Sequence, residues 1–311
     1  MTPAVASSLN FRLLSACGCA YDIAPYGCAY TPDTVFSPVV NYSNPPKPIC
    51  AGTDLINACL VGQNADGIIV AFRGTLPPSL QSAASLLDWL QDFFAEPKAA
   101  PNVPGMVHSG FYDATMSIMA GIAAAVQNLN PGPNTPIFVT GHSLGGAMAS
   151  IAAYILSQTY HLPIKQVVTF ASPKPGNAGF QTGYQAVIPN QVRYENYQDI
   201  VPLLPPATLF IDLVVALLAL IPDVGQDLAN LFKSAENWNY VAVGSELFIE
   251  ADKQTITPDE PIESQVWDVV KEFGEDIWDE NFSSFAAAHT ISPGGGYYNA
   301  LSASSAAAAK V

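Results

Sequence analysis

The chain has 311 residues, of which 50% are hydrophobic and only 12% are charged, so it is long enough to bury a large core. Its formal net charge of −15 excludes nucleic acid and anionic membranes as favourable main partners, whereas neutral, apolar substrates are compatible with that charge. Predicted strands alternate with predicted helices, which indicates an α/β fold with a mostly parallel central sheet that binds ligands at the carboxyl ends of its strands.

The N-terminal region predicts a helix over residues 4–21 and no clear signal peptide, because Arg12 lies where the apolar core of a signal would run. We therefore expect a cytoplasmic protein or one that is secreted by a non-classical route. The five cysteines are Cys17, Cys19, Cys28, Cys50 and Cys59. Their odd number predicts free thiols, with at most one or two disulfides under oxidising conditions. Their spacing does not favour a metal site, and we expect no cofactor.

The remaining elements follow from hydrophobic periodicity and turn residues. Strands are predicted at 55–63, 67–72, 166–172, 191–197 and 240–250, and a short extended piece at 106–111. Helices are predicted at 86–94, 114–129 and 265–275, a long loop at 25–48, and a low-complexity, frayed tail at 301–311. The apolar segment 209–221 has too few residues to cross a bilayer, so we interpret it as a buried or capping helix and predict no transmembrane segment.

The most informative stretch is a G-x-S-x-G sequence at 141–145, placed between the strand-forming run 137–139 and the helix-forming run 147–156. A strand-to-helix turn of this kind holds the serine in a strained backbone conformation, and side chains at 141 and 145 would collide in it. Ser143 would then project at the end of the strand as a nucleophile. The amide of Leu144, at the helix start, would face a developing oxyanion.

A serine nucleophile needs a base, and the base needs an orienting group. Of the four histidines, His142 is expected to pack behind the turn. His108 and His161 are interpreted as structural residues. His289 lies late in the chain, before a Pro- and Gly-rich loop, which is where the order Ser, acid, His places the base.

Asp199 is the predicted acid because it directly follows a predicted strand and precedes a rigid, proline-rich segment. Asp223 and Asp227 are alternatives, but no predicted strand delivers them. The sequence thus predicts that Ser143, Asp199 and His289 form a catalytic triad.

Several segments together resemble the class 3 lipase family, the fungal-type lipases with the α/β-hydrolase fold. They are VAFRGT at 70–75, DWLQD at 88–92, VHSGF at 107–111, GHSLGG at 141–146, FASPKPGN at 170–177, and 196–206. The resemblance implies that the amides of Thr75 and Leu144 form the oxyanion hole, that Asp92 supports the oxyanion loop, and that Asp199 and His289 are the acid and base.

The resemblance also implies a domain organisation. We expect one α/β-hydrolase domain over residues 1–300, with a lid region at about 76–100, and an apolar helical insertion at about 207–235 that compact members lack. Residues 77–84 are additional relative to the family pattern, and Lys174 stands where the family usually has arginine.

The implied activity is hydrolysis of carboxylic ester bonds in neutral lipids at an oil–water interface, as by a triacylglycerol lipase or esterase. The alternatives are a carboxylesterase, a feruloyl esterase or a phospholipase on the same scaffold, and, from another class, a non-catalytic lipid-binding relative. The oligomeric state stays open.

Overall fold

A computed structural model describes residues 8–75, 82–206, 211, 215, 225–261, 265, 269, 271–272, 275–276, 279, 281 and 283–308. Its helices are α1 Leu9–Tyr21, α2 Ser37–Val40, α3 Ala83–Gln91, α4 Ser109–Asn128, α5 Leu144–Gln158, α6 Ala178–Val187, α7 Gly225–Ser234, α8 Ser283–His289 and α9 Gly296–Ala308. Its strands are β1 Lys47–Ala51, β2 Asn57–Gln63, β3 Ile68–Phe72, β4 Pro97–Ala99, β5 Met106–His108, β6 Ile137–His142, β7 Ile164–Phe170, β8 Gly176–Asn177, β9 Gln191–Asn196, β10 Tyr240–Val241, β11 Ser245–Ile249 and β12 Ile256–Pro258.

The main sheet has the strand order β1-β2-β3-β6-β7-β9-β11-β12. Neighbouring strands from β3 to β11 run parallel, and the strands at both edges are antiparallel. Every residue of β3 and β6 is buried, as expected for central strands that are covered by helices on both faces. The predicted α/β class with a mostly parallel sheet is therefore confirmed.

Two hydrophobic layers cover this sheet. One contains side chains of α4 and α5, and the other contains side chains of α1 and α9. A second, smaller antiparallel sheet has the order β10-β8-β5-β4. Among the described residues, no helix is both long enough and apolar enough to cross a membrane.

The cysteines form one disulfide, between Cys28 and Cys50. It joins the loop after α1 to the edge strand β1. Cys17, Cys19 and Cys59 are free thiols and are buried, in agreement with the expectation of mostly unpaired cysteines.

The structure differs from the predicted elements at several points. The stretch 240–250 is two strands in different sheets rather than one, because the chain turns at Gly244, where φ is +84°. The extended piece at 106–111 ends after His108, since α4 begins at Ser109. Residues 301–308 continue helix α9 instead of fraying, and Ser305 accepts a hydrogen bond from the amide of Ser8 in α1's N-cap.

Some predictions fall where the structure gives little or no description. Residues 77–81 and most of the predicted helices at 209–221 and 265–275 lie outside the described residues.

Candidate active site

Ser143 lies between β6 and α5 in the strained turn that the sequence predicts, with φ 58° and ψ −138°. A Cβ at Gly141 would lie 2.0 Å from the carbonyl oxygen of Gly145, and a Cβ at Gly145 would lie 2.6 Å from the oxygen of Phe72. Neither position therefore accepts a side chain. The amide of Ser143 donates to the carbonyl of Phe170 at 2.9 Å, which fixes the turn to β7.

Asp199 and His289 are 90 residues apart in sequence and are hydrogen-bonded in the structure. Nδ1 of His289, the last residue of α8, lies 3.0 Å from Oδ2 and 3.1 Å from Oδ1 of Asp199. The carboxylate is buried, and it accepts two further hydrogen bonds, from the hydroxyl of Tyr297 at 2.7 Å and from the amide of Val201 at 3.1 Å. Since Nδ1 donates to a carboxylate, Nε2 is left as the basic nitrogen of the ring.

Ser143 and His289 line the same cavity, which has a volume of about 470 Å³. Nε2 of His289 is buried and has no hydrogen-bond partner among the described residues, so the Ser143 hydroxyl does not contact it within hydrogen-bonding distance. Catalytic hydrogen bonds are often long before substrate binds and tighten later. The structure thus brings the three predicted residues into one site, in which no hydrogen bond joins Ser143 to Nε2 of His289.

Trp89 of α3 lies over His289, with the two ring centroids 5.4 Å apart in an edge-on arrangement. Its side chain is 6% exposed and lines the same cavity. The helix that the sequence assigns to the lid region therefore contacts the candidate base directly.

His142 does not pack behind the turn, and that expectation was wrong. Its ring lies beside His289, with the centroids 4.7 Å apart, and its Nε2 is 2.7 Å from the backbone carbonyl oxygen of His289. Because a carbonyl only accepts, Nε2 carries the proton, and Nδ1 must accept from the hydroxyl of Tyr21, 2.7 Å away. Burial, together with the neighbouring His289, lowers the pKa of His142 well below its usual value, so the ring is neutral.

Tyr21 links this pair of histidines to the predicted oxyanion loop. It is the last residue of α1, and its hydroxyl lies against the backbone of Gly74. A hydrogen bond from that backbone offsets part of the rise that burial causes in the pKa of Tyr21. Tyr21 thus contacts both His142 and the segment that precedes Thr75.

Tyr297 and Asn196 contact the candidate acid and the segment that carries the candidate base. The amide of Asn196 donates to the Tyr297 hydroxyl at 3.1 Å, and the Asn196 side chain donates to the carbonyl of Ala288 at 2.8 Å. Burial and the adjacent Asp199 raise the pKa of Tyr297 well above its usual value, so it stays a hydrogen-bond donor. Sequence reasoning missed Tyr21, Asn196 and Tyr297, since their partners are distant along the chain.

Thr75 and Leu144, the predicted oxyanion residues, meet at a second cavity of about 210 Å³, and Thr75 lines both cavities. Asp92 also lines the second cavity, but within the described residues its carboxylate makes no hydrogen bond to Thr75. Burial and the nearby Asp88 raise the pKa of Asp92. The segment before Thr75 is anchored by buried Arg73, which donates to the carbonyls of Ile23 at 2.8 Å and Ile56 at 2.7 Å.

The other candidate residues lie away from this chemistry. His108 caps α4 by accepting from the amide of Phe111, and burial lowers its pKa to about 4, which agrees with a structural role. His161 is exposed, Asp227 is exposed on α7, and Asp223 lies outside the described residues. Within the described ranges, no cluster of metal-ligating side chains occurs.

Lys174 stabilises the loop that follows Asp199. Its ammonium group is buried and donates to the carbonyls of Leu203 at 2.6 Å and Pro205 at 3.1 Å. Burial lowers its pKa to about 8. The lysine that stands where the resembled family usually has arginine therefore holds the loop after the candidate acid.

Comparison with known proteins matches this chain to a lipase family model, to lipases and to a phospholipase. The family model for lipase (class 3) matches residues 69–209. Secreted mono- and diacylglycerol lipase 1 of Fusarium solani is 33% identical over 45% of this chain and 39% of its own length. Phospholipase A(1) DAD1 of Arabidopsis thaliana is 28% identical over 46% of this chain and 34% of its own length. The chain thus matches less than half the length of either relative.

The fold extends over more of the chain than the sequence matches do. A solved triacylglycerol lipase whose catalytic centre is formed by a serine protease triad superposes with a TM-score of 0.58 at 22% identity, over 83% of this chain and 86% of that one. At this identity the likeness concerns the fold alone. The family model, the relatives and the shared fold agree with the motifs: residues 69–209 match the class 3 lipase family, and the chain has the α/β-hydrolase fold.

Proposed function

We propose that the protein is a serine hydrolase that cleaves carboxylic ester bonds of lipids, with Ser143 as nucleophile, His289 as base and Asp199 as the group that orients His289. The observation that carries the proposal is the part-buried hydrogen bond between His289 and Asp199, because His289 and Ser143 line the same cavity. A histidine whose Nδ1 is held by a carboxylate presents Nε2 to a neighbouring hydroxyl, which is the arrangement that activates serine.

The proposed reaction has two steps. Nε2 of His289 takes the Ser143 proton while Oγ bonds to the ester carbonyl carbon, and the oxyanion accepts hydrogen bonds from the amides of Thr75 and Leu144. The intermediate then expels the alcohol, which receives the proton from His289, and leaves an acyl group on Ser143. Water attacks this acyl-enzyme by the same route, which releases the carboxylic acid and restores the serine.

We further propose that residues 1–300 form one domain, with 76–100 as a lid region and 207–235 as an insertion. The edge-on contact of Trp89 with His289 supports a lid role for α3, since movement of Trp89 would free the ring to approach Ser143. The net charge of −15 favours neutral acylglycerols over anionic lipids as substrates. The matched relatives include an acylglycerol lipase and a phospholipase A1, so phosphatidylcholine is the rival substrate.

The test compares Ser143→Ala with Ser157→Ala, which changes a partly buried serine near the end of helix α5. We expect Ser143→Ala to lose p-nitrophenyl butyrate hydrolysis by at least about a thousandfold and to lose labelling by a fluorophosphonate probe, while Ser157→Ala keeps both. Turnover retained by folded Ser143→Ala, judged by circular dichroism, would refute the triad. A wild-type protein that hydrolyses no ester and takes up no probe would indicate a non-catalytic lipid-binding protein.

Substrate preference is measured on the wild type. Rates on esters from acetate to palmitate, as solutions and as emulsions, distinguish a lipase from a carboxylesterase. Rates on phosphatidylcholine and on feruloyl esters test the remaining alternatives.

A further inference from the structure

Asp22 occupies an unfavourable position for a carboxylate. It is the C-cap of α1, where the helix dipole presents its negative end. Burial, with the nearby Asp33, raises the pKa of Asp22 to about 6. Its Oδ2 is buried and accepts no hydrogen bond from the described residues, which also provide it with no ion pair. The described residues thus give the carboxylate neither a hydrogen-bond donor nor a cation, and a partly buried carboxylate without a partner is destabilising.

Asp22 lines the reactive serine's cavity. Asp22 lines the cavity of about 470 Å³ that also contains Ser143 and His289. Among the described lining residues it is the one carboxylate, and much of the remaining wall is apolar, including Phe36, Trp89 and Ile291. A polar group in such a wall gives orientation and specificity to a bound molecule.

The chemistry of ester cleavage indicates which half of the substrate enters this cavity. The leaving alcohol must receive its proton from His289, so it lies on the His289 side, whereas the carbonyl oxygen points to the amides of Thr75 and Leu144. The larger cavity is lined by His289 and the residues that follow it, and the smaller one by Leu144 and the segment before Thr75. The alcohol half therefore belongs in the larger cavity, with Asp22.

We propose that Asp22 is a specificity-determining residue that accepts a hydrogen bond from a free hydroxyl on the alcohol half of the ester, so that the site prefers partial acylglycerols to esters of simple alkanols. A hydroxyl supplies a donor that this carboxylate lacks, and it would bond Oδ1, because Oδ2 is buried. A quaternary ammonium group has no hydrogen to donate. The inference rests on the proposed ester hydrolysis at Ser143.

The experiment uses two esters that differ only in hydroxyl groups, glycerol monobutyrate and propyl butyrate. The readout is the ratio of their kcat/KM values, with the glycerol ester in the numerator. Asp22→Leu should lower this ratio by about tenfold or more, since hydrogen bonds to charged groups commonly contribute that factor. Asp22→Asn keeps an acceptor oxygen and should lower the ratio less.

Asp33→Asn is the matched control. It removes the neighbouring charge, while the amide oxygen can still accept from the amides of Phe36 and Ser37, as the carboxylate does at 2.9 and 2.8 Å. It should leave the ratio close to that of the wild type.

Each outcome decides the proposal. An unchanged ratio in Asp22→Leu overturns it, as does an equal fall in Asp33→Asn, which would make the effect one of general charge. If Asp22→Leu lost butyrylcholine hydrolysis while the ratio for the two butyrate esters stayed unchanged, the proposal would also be overturned. Asp22 would then bind a cationic alcohol group rather than a hydroxyl. If Asp22→Leu does not fold, the ratio in Asp22→Asn decides in its place. A wild type that cleaves neither ester contradicts the proposed function itself, which is a different result from a wild type that cleaves both without preference.

Discussion

The Tyr21 hydroxyl provides a sharp test of how the site is held together. It donates to Nδ1 of His142 at 2.7 Å, and Nε2 of His142 donates to the carbonyl of His289 at 2.7 Å. Tyr21→Phe removes a single oxygen and keeps the ring that packs beside His142. The substitution therefore breaks the first of these two hydrogen bonds in series, together with the one from the Gly74 backbone, and leaves Ser143, Asp199 and His289 unchanged.

The structure allows the size of the effect to be estimated. Nδ1 of His142 would become a buried acceptor without a partner, which costs about 1–3 kcal/mol of unfolding free energy. A tautomer change would not relieve this cost, because a proton moved to Nδ1 would leave Nε2 facing the His289 carbonyl with no proton to donate. A less restrained His289 should lower kcat by roughly 10- to 100-fold, the factor associated with a displacement of about 1 Å.

The assay is steady-state hydrolysis of p-nitrophenyl butyrate together with urea unfolding. The control is Tyr30→Phe, which removes a partly buried hydroxyl that bonds Ser37 at 2.8 Å and lies outside the active-site cavity. Both variants should lose stability, but only Tyr21→Phe should lose kcat at nearly constant KM. Equal kcat values for the two variants would refute the reasoning that His142 positions the base.

Three further predictions follow from other contacts of the site. Trp89→Ala removes a ring contact of about 1 kcal/mol from His289. The ratio of ester hydrolysis in emulsion to ester hydrolysis in solution should therefore fall about fivefold. An unchanged ratio would contradict a lid role. Tyr297→Phe takes one donor from Asp199 and should lower kcat about tenfold at similar KM, which stopped-flow acylation rates can check. Between pH 8 and 10.5 the unfolded chain keeps a proton on Lys174 that the folded protein has released. The unfolding free energy of the wild type, relative to that of Lys174→Met, should therefore rise with pH by up to about 3 kcal/mol. Urea titrations measure this difference, and a difference that does not change with pH would exclude the prediction.

The sequence was sufficient where the chemistry is local. The turn at Ser143 follows from two glycines, a strand-forming run and a helix-forming run within residues 137–156, and the structure shows the close contact that excludes side chains at Gly141 and Gly145. The central strands were also predictable, because β3 is a short, continuous apolar run and β6 begins with one. In both cases the determining interactions lie within one element or between neighbouring ones.

The network around His289 was not predictable in this way. The hydrogen bond from Tyr21 to His142 joins residues 121 positions apart, and the one from Tyr297 to Asp199 joins residues 98 positions apart. No periodicity or turn signal specifies such pairs, and a tyrosine near a helix end has many alternatives. The role expected for His142 failed for the same reason, since its ring direction is set by Tyr21 and His289 rather than by the turn that carries it.

The position of the site residues inside or outside the stretch matched by the family model indicates where substrate specificity should arise. The stretch that matches the family model, residues 69–209, contains Thr75, Ser143, Leu144 and Asp199, which are the proposed nucleophile, the proposed acid and both proposed oxyanion amides. The candidate base His289 and its wider support, α1 and α9, lie outside that stretch. The cavity proposed for the alcohol is therefore walled largely by the segments that the family match does not cover. Substitutions there should alter which ester is chosen, whereas substitutions within the matched stretch should alter whether any ester is cleaved.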